Sequence, residues 1–136
     1  MTSFKNYVKL NEVVNPSQQT SNYGGGRITE NHNGVRKLPL SPALRSAIQN
    51  GLNGTGLDWR SFSGGQPSSG PNRVGSHRHD NGNASDGDFI ESGTGRVLNA
   101  DNAQDRQKIA AALTRLKQSG IKGVGWDSSS TGNGHY

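Results

Sequence analysis

The chain carries four histidines, His32, His77, His79 and His135, and three of them stand where their chemistry can be used. His77 and His79 fall in the segment Ser76-His77-Arg78-His79-Asp80-Asn81-Gly82-Asn83-Ala84-Ser85-Asp86, and His135 lies near the end of the sequence. His79 leaves a loop and Asp86 enters a predicted strand seven residues later. Gly82 permits a tight reversal between them, and Ala84 is small enough to lie beneath a packed site. One imidazole nitrogen and one carboxylate oxygen can therefore converge on a cation. A further histidine would complete a three-ligand set that leaves one zinc position open for water, and His135 is the downstream residue of the right type. The alternative is that His79 and Asp86 hydrogen-bond to each other on a polar surface. Two details favour a site. The segment is dense in charge and histidine within a chain of which only 18% is charged. The stretch leading into it, residues 64–76, is too long for a plain connector, and long loops in small domains are commonly functional or disordered.

The elements that must position these residues follow from local signals. Ser41-Pro42 caps and opens a helix over 42–50, with Leu44, Ala47 and Ile48 on one face and Asn50-Gly51 as its stop. Residues 57–63 read as a strand. Asp86 to Ile90 and Arg96 to Leu98 read as a hairpin turning through Glu91-Ser92-Gly93-Thr94-Gly95. Asp101, with Gln104 three residues on, is the expected cap of a second helix. Its apolar stripe is Ile109, Ala112, Leu113 and Leu116, and Gly120 ends it. Ile121 to Trp126 is a last strand. The predicted fold is α+β: a small antiparallel sheet with two helices, preceded by an extended N-terminal arm. Residues 1–39 form that arm, rich in Gly, Asn and Ser, in which Tyr7 to Val14 can add an edge strand or dock on a neighbour. Residues 40–136 form the domain.

Composition sets the bounds. The chain has 136 residues, one domain's worth, with 20 glycines, no cysteine and a net charge of +5. Gly, Asn and Ser together exceed a third of it, whereas Leu, Ile, Val and Phe make up less than a fifth. The absence of cysteine excludes disulfides, a Cys-based zinc finger and a thiol nucleophile. No apolar run approaches a membrane span, and no apolar segment follows Met1 as a secretory signal requires. The isoelectric point near 9.9 suits an anionic partner such as a cell-wall polymer. Nucleic acid is disfavoured, because the basic residues are scattered and aromatic platforms for stacking are missing.

Arg78-His79-Asp80-Asn81-Gly82-Asn83-Ala84-Ser85-Asp86 reads as R-H-x-x-G-x-A-x-D. It resembles the zinc-binding signature of the D-alanyl-D-alanine carboxypeptidase and L,D-endopeptidase family, peptidase family M15, of hedgehog-type fold, in the form found in bacteriophage endolysins and virion proteins. The order of elements over residues 40–136 is similar as well. The resemblance implies Zn2+ bound by His79, Asp86 and a C-terminal histidine, His135 or one beyond it. It also implies a metal-activated water attacking an amide, with Arg78 stabilising the oxyanion or holding a substrate carboxylate. A structural bridge from Arg78 to Asp80 or Asp88 is the competing role.

Two departures shape the expected activity. Family carboxypeptidases carry an arginine shortly after the early Ser-Gly, where this chain has Gln66, which argues for an endopeptidase or for no peptidase activity. No glutamate precedes His135 as general base, which leaves Asp127, Glu91 and His77 as candidates. The expected function is a zinc-dependent peptidoglycan peptidase in a phage virion (tail) or acting as a lysin at the bacterial cell wall. Its partners would be peptidoglycan peptides and, through the arm, other virion proteins. The alternative is a non-enzymatic tail, baseplate or capsid protein that keeps the fold.

Overall fold

A computed structural model of the chain describes residues 7–13 and 24–127. Its elements in chain order are β1 (Tyr7–Val13), β2 (Ile28–Glu30), α1 (Pro42–Leu52), β3 (Leu57–Ser63), a 3-10 turn at His77–His79, β4 (Ala84–Glu91), α2 (Ala103–Gln118) and β5 (Ile121–Asp127). The strands form one five-stranded sheet in the order β2-β3-β4-β1-β5. The class is α+β, as the sequence predicts. The sheet is mixed rather than purely antiparallel, because β2 runs parallel to β3.

The helices form where the caps are. Ser41 accepts from the Leu44 amide and Pro42 opens α1. The expected stop at Asn50-Gly51 is corrected: α1 runs to Leu52. Gly51 instead lets α2 approach, since a Cβ there would lie 2.8 Å from Leu116 Cδ2. In α2 the cap is Asn102, whose side chain accepts from the Asp105 amide, not Asp101. Ile109, Ala112, Leu113 and Leu116 are buried as their spacing predicts. They meet Leu44, Ala47, Ile48 and Leu52 of α1 in the core, with Leu10, Leu57, Trp59, Phe89 and Ile121 of the sheet. Trp59 and Phe89, directly opposed on β3 and β4, pack edge to face with centroids 5.2 Å apart.

Tyr7–Val13 is not an edge strand. It lies between β4 and β5, paired with both, and Leu10 is fully buried. Ile28–Glu30 also joins the sheet, so two segments of the expected arm help to build it. The predicted hairpin is present in reduced form: beyond β4 a single bridge joins Ile90 to Val97.

Candidate functional site

His79 and Asp86 come together at one end of β3 and β4. Register slips between Ser61 and Ser63, so that β3 bulges where Ser61 faces Gly87 and Ser63 faces Asp86. Bulges re-aim side chains and are common beside functional sites. Ser85 turns towards Trp59 on the core side. Alternation then sends Asp86 to the opposite face. His79 reaches that face from the 3-10 turn, and both side chains are nearly buried, 4% and 9% exposed.

His79 Nδ1–H donates to the Gly64 carbonyl at 2.7 Å. A carbonyl only accepts, so this bond fixes the tautomer and directs Nε2 away from Gly64. Nε2 faces Asp86 Oδ2 at 3.4 Å. The turn that delivers His79 depends on Asn81 and Gly82, both at positive φ, 59° and 80°. At Gly82 a Cβ would also lie 2.6 Å from Pro39 O and from Ser41 N. The glycine of the His-x-x-Gly spacing is therefore required by both conformation and space.

The loop over residues 64–80 is organised around two buried polar groups. Gln66 is fully buried, and its amide donates to Val74 O, Ser76 O and Asp80 Oδ1, while Val74 N–H donates to its Oε1. Asp80 receives Gln66 Nε2 at 2.9 Å, Arg73 Nη2 at 3.0 Å and His77 Nδ1–H at 2.5 Å. Burial pushes the Asp80 carboxyl up, but the hydrogen bonds from Gln66, His77 and Arg73 outweigh it and hold it at about 2. Gln66 thus faces the interior of its own loop, with its amide bonded to Val74 O, Ser76 O and Asp80 Oδ1.

The other predicted residues divide. His77 is largely exposed, its Nδ1 held by Asp80. Arg78 is exposed, and the arginines on Asp80 and Asp88 are Arg73 and Arg60, so these ion pairs do not involve Arg78. Asp88, on the same strand as Asp86, is pushed up by burial against the pull of Arg60. Glu91 sits at the far end of β4, opposite Leu57, bound by Arg96, Thr94 and Lys108 and lowered to about 2. It is therefore too distant and too firmly paired to be a general base at this site. His135 lies outside the described residues, as does the side chain of Asp127. Among the described residues no group of three His, Cys, Asp or Glu side chains forms a metal-binding cluster.

One residue escaped the sequence reading. His32, with its side chain only 3% exposed, packs beside Gly64, and its charged form is disfavoured by burial and by the proximity of His79. Its only sequence signal was the short apolar-polar alternation of Ile28-Thr29-Glu30 just before it. A cavity of about 570 Å³ lies at the opposite end of the molecule, between the start of β3 and α2, with Lys108, Ala112 and Arg115 in its wall. It does not touch His79 or Asp86.

The chain matches no protein-family model, no curated protein and no solved structure.

Proposed function

We propose that the chain is a zinc-dependent peptidase acting on peptidoglycan peptides, of the kind carried in a phage virion or released as a lysin, with His79 and Asp86 as two of its metal ligands. The observation that carries this reading is the 3.4 Å separation of His79 Nε2 and Asp86 Oδ2. An N–H···O hydrogen bond is typically about 2.9 Å. Two ligands each about 2.05 Å from a tetrahedral zinc stand roughly 3.3–3.4 Å apart. With a proton on Nδ1, His79 can offer its Nε2 lone pair to a cation that the Asp86 carboxylate also meets. The bond from Nδ1 to Gly64 O is the kind of outer contact that orients metal-ligating histidines.

Bound there, zinc would polarise an amide carbonyl and make water a nucleophile near neutral pH. The chain's own residues contribute orientation through Gly64, a fixed carboxylate at Asp86, and exposed Arg78 beside His79 for an anionic substrate group. The exposed large hydrophobic residues Val35, Leu38, Phe62 and Val74 lie on or next to segments bonded to Gly64 through Gln66, which suits a peptide ligand. The specific observation favouring the non-enzymatic alternative is that Glu91, the acidic general-base candidate whose side chain is described, is locked in ion pairs at the far end of β4.

Metal analysis of the purified chain should find about one zinc per molecule, and His79→Ala or Asp86→Ala should remove it together with amine release from purified peptidoglycan. A folded protein that takes up no zinc would overturn the metal reading. Zinc bound without any amine release would favour the structural alternative.

A further inference from the structure

We propose that His32 is a positioning residue that holds the Gly64 carbonyl in place and thereby sets the tautomer and ring orientation of His79. The inference rests on the reading of His79 and Asp86 as metal ligands and adds the device that aligns them. His32 is wedged against Gly64 so closely that a Cβ on that residue would lie 2.2 Å from His32 Cε1. Its Nδ1–H donates to Leu38 O at 3.0 Å, and its Nε2 accepts from Ser61 Oγ at 2.6 Å. Leu38 is itself paired with Gly65 in both directions, at 3.0 and 2.8 Å, and Gly64 N–H donates to Arg36 O. Gly64 is thus clamped between residues 36–38 on one side and the imidazole of His32 on the other.

The hydrogen bonds continue beyond His32. Trp59 Nε1–H donates to Ser85 Oγ at 2.9 Å, and Ser85 Oγ meets Ser61 Oγ at 2.6 Å. With the indole as a donor and Leu38 O as an acceptor, a single direction satisfies every member: Trp59 to Ser85, to Ser61, to His32, to Leu38. Ser85 adjoins Asp86, and His32 braces the carbonyl that holds His79. One buried chain therefore ties together the backbone beneath both proposed ligands. The Ser61–His32 pair is not a nucleophile and its base, because Ser61 is fully buried and no substrate can reach it.

The test uses the full chain, labelled with 15N and free of metal at pH 8. Long-range 1H–15N spectra read the His79 tautomer, and competition titration reads zinc affinity. Wild type should show His79 as the Nδ1–H form. His32→Ala should shift His79 towards the Nε2–H form and weaken zinc binding about 10–100-fold, the usual cost of losing an outer-shell contact. His32→Asn, whose amide can still donate to Leu38 O, should recover most of both. Leu113→Ala in the core of α2 should lower the melting temperature and move neither. An unchanged His79 tautomer and zinc affinity in His32→Ala would overturn the proposal. If that variant does not fold, Ser61→Ala, which removes the proton donated to His32, decides it by the same two readings. A wild type that binds no zinc while its tautomer still responds to His32→Ala would sink the metal reading and leave the positioning role standing.

Discussion

Replacing Gln66 with alanine should expose how the loop that delivers His79 is held. The side chain is fully buried and makes four hydrogen bonds: to Val74 O at 3.2 Å, Ser76 O at 3.3 Å and Asp80 Oδ1 at 2.9 Å, and from Val74 N–H at 3.1 Å. Val74 and Ser76 are exposed, so water can replace the amide on their backbone groups, and those bonds count for little. The losses that water does not repair are the buried amide donor and the volume it fills. A hydrogen bond to a charged group is worth about 1.5–3 kcal/mol, and a small residual cavity adds about 1 kcal/mol. Urea denaturation should therefore show a loss of about 2–4 kcal/mol with an unchanged m-value. An NMR titration should find the Asp80 carboxyl above its present value of about 2, because Gln66 is the foremost of the bonds that lower it. Gln66→Glu should be worse than alanine at pH 7, since it buries a second carboxylate beside Asp80, and should improve below pH 4 as that pair takes up a proton. A loss below about 0.5 kcal/mol in Gln66→Ala, with Asp80 unmoved, would refute the reasoning. It would mean that the backbone bonds from Gln66 N–H to His79 O and from Asn81 N–H to Gln66 O hold the loop by themselves.

Gly82→Ala should destabilise by about 2–5 kcal/mol, combining a left-handed backbone with contacts that neighbours cannot yield, as read by thermal and urea unfolding; a change within experimental error would mean that the turn has another conformation. Asp105 is held at about 2 by Arg96, against burial, with further help from the Asn99 amide. That carboxylate therefore stabilises the fold fully above pH 4 and progressively less as the pH falls from about 4 to 2. Asp105→Asn should flatten this part of the acid-unfolding curve and cost about 1–2 kcal/mol at pH 7, a low value because Arg96 is half exposed. Trp59→Phe should cost about 1 kcal/mol or more by removing the donor to Ser85, and near-ultraviolet circular dichroism should show that the packing against Phe89 survives.

What the sequence disclosed and what it hid follow from the range of the interactions involved. The helices and the strands at 57–63 and 121–126 were legible because their signals are local: a serine before a proline, an apolar stripe, a run of β-formers. Tyr7–Val13 was legible only as a segment able to add an edge strand; its central place was hidden, since its partners in β4 and β5 lie more than seventy residues away. Gly51 misled for a related reason. Glycine after asparagine reads as a helix stop, but here its missing side chain answers to Leu116 on another helix. The approach of His79 to Asp86 was legible from residue type and spacing. The carbonyl of Gly64, the bulge in β3 and the imidazole of His32 were not, because each depends on a backbone path that only the assembled sheet defines.

The distribution of buried polar groups carries the argument further. Six of the eight buried polar or charged residues among those described, Ser61, Gln66, His79, Asp80, Ser85 and Asp86, lie at or next to the same end of β3 and β4, and the other two, Asp105 and Ser119, stand at the two ends of α2. The middle and far end of the sheet are covered by Leu, Ile, Trp and Phe. A chain this poor in apolar residues gains little stability from placing polar side chains inside, because buried polar networks are often replaceable by apolar groups without loss. What such a network supplies is direction. In the proposed role it fixes which nitrogen of His79 carries a proton and how that ring is turned. If direction is its purpose, filling the Ser61–Ser85 region with apolar side chains of similar size should leave the melting temperature equal or higher while disturbing the His79 tautomer. A network that merely stabilises the fold would show the reverse, a lower melting temperature with His79 unchanged.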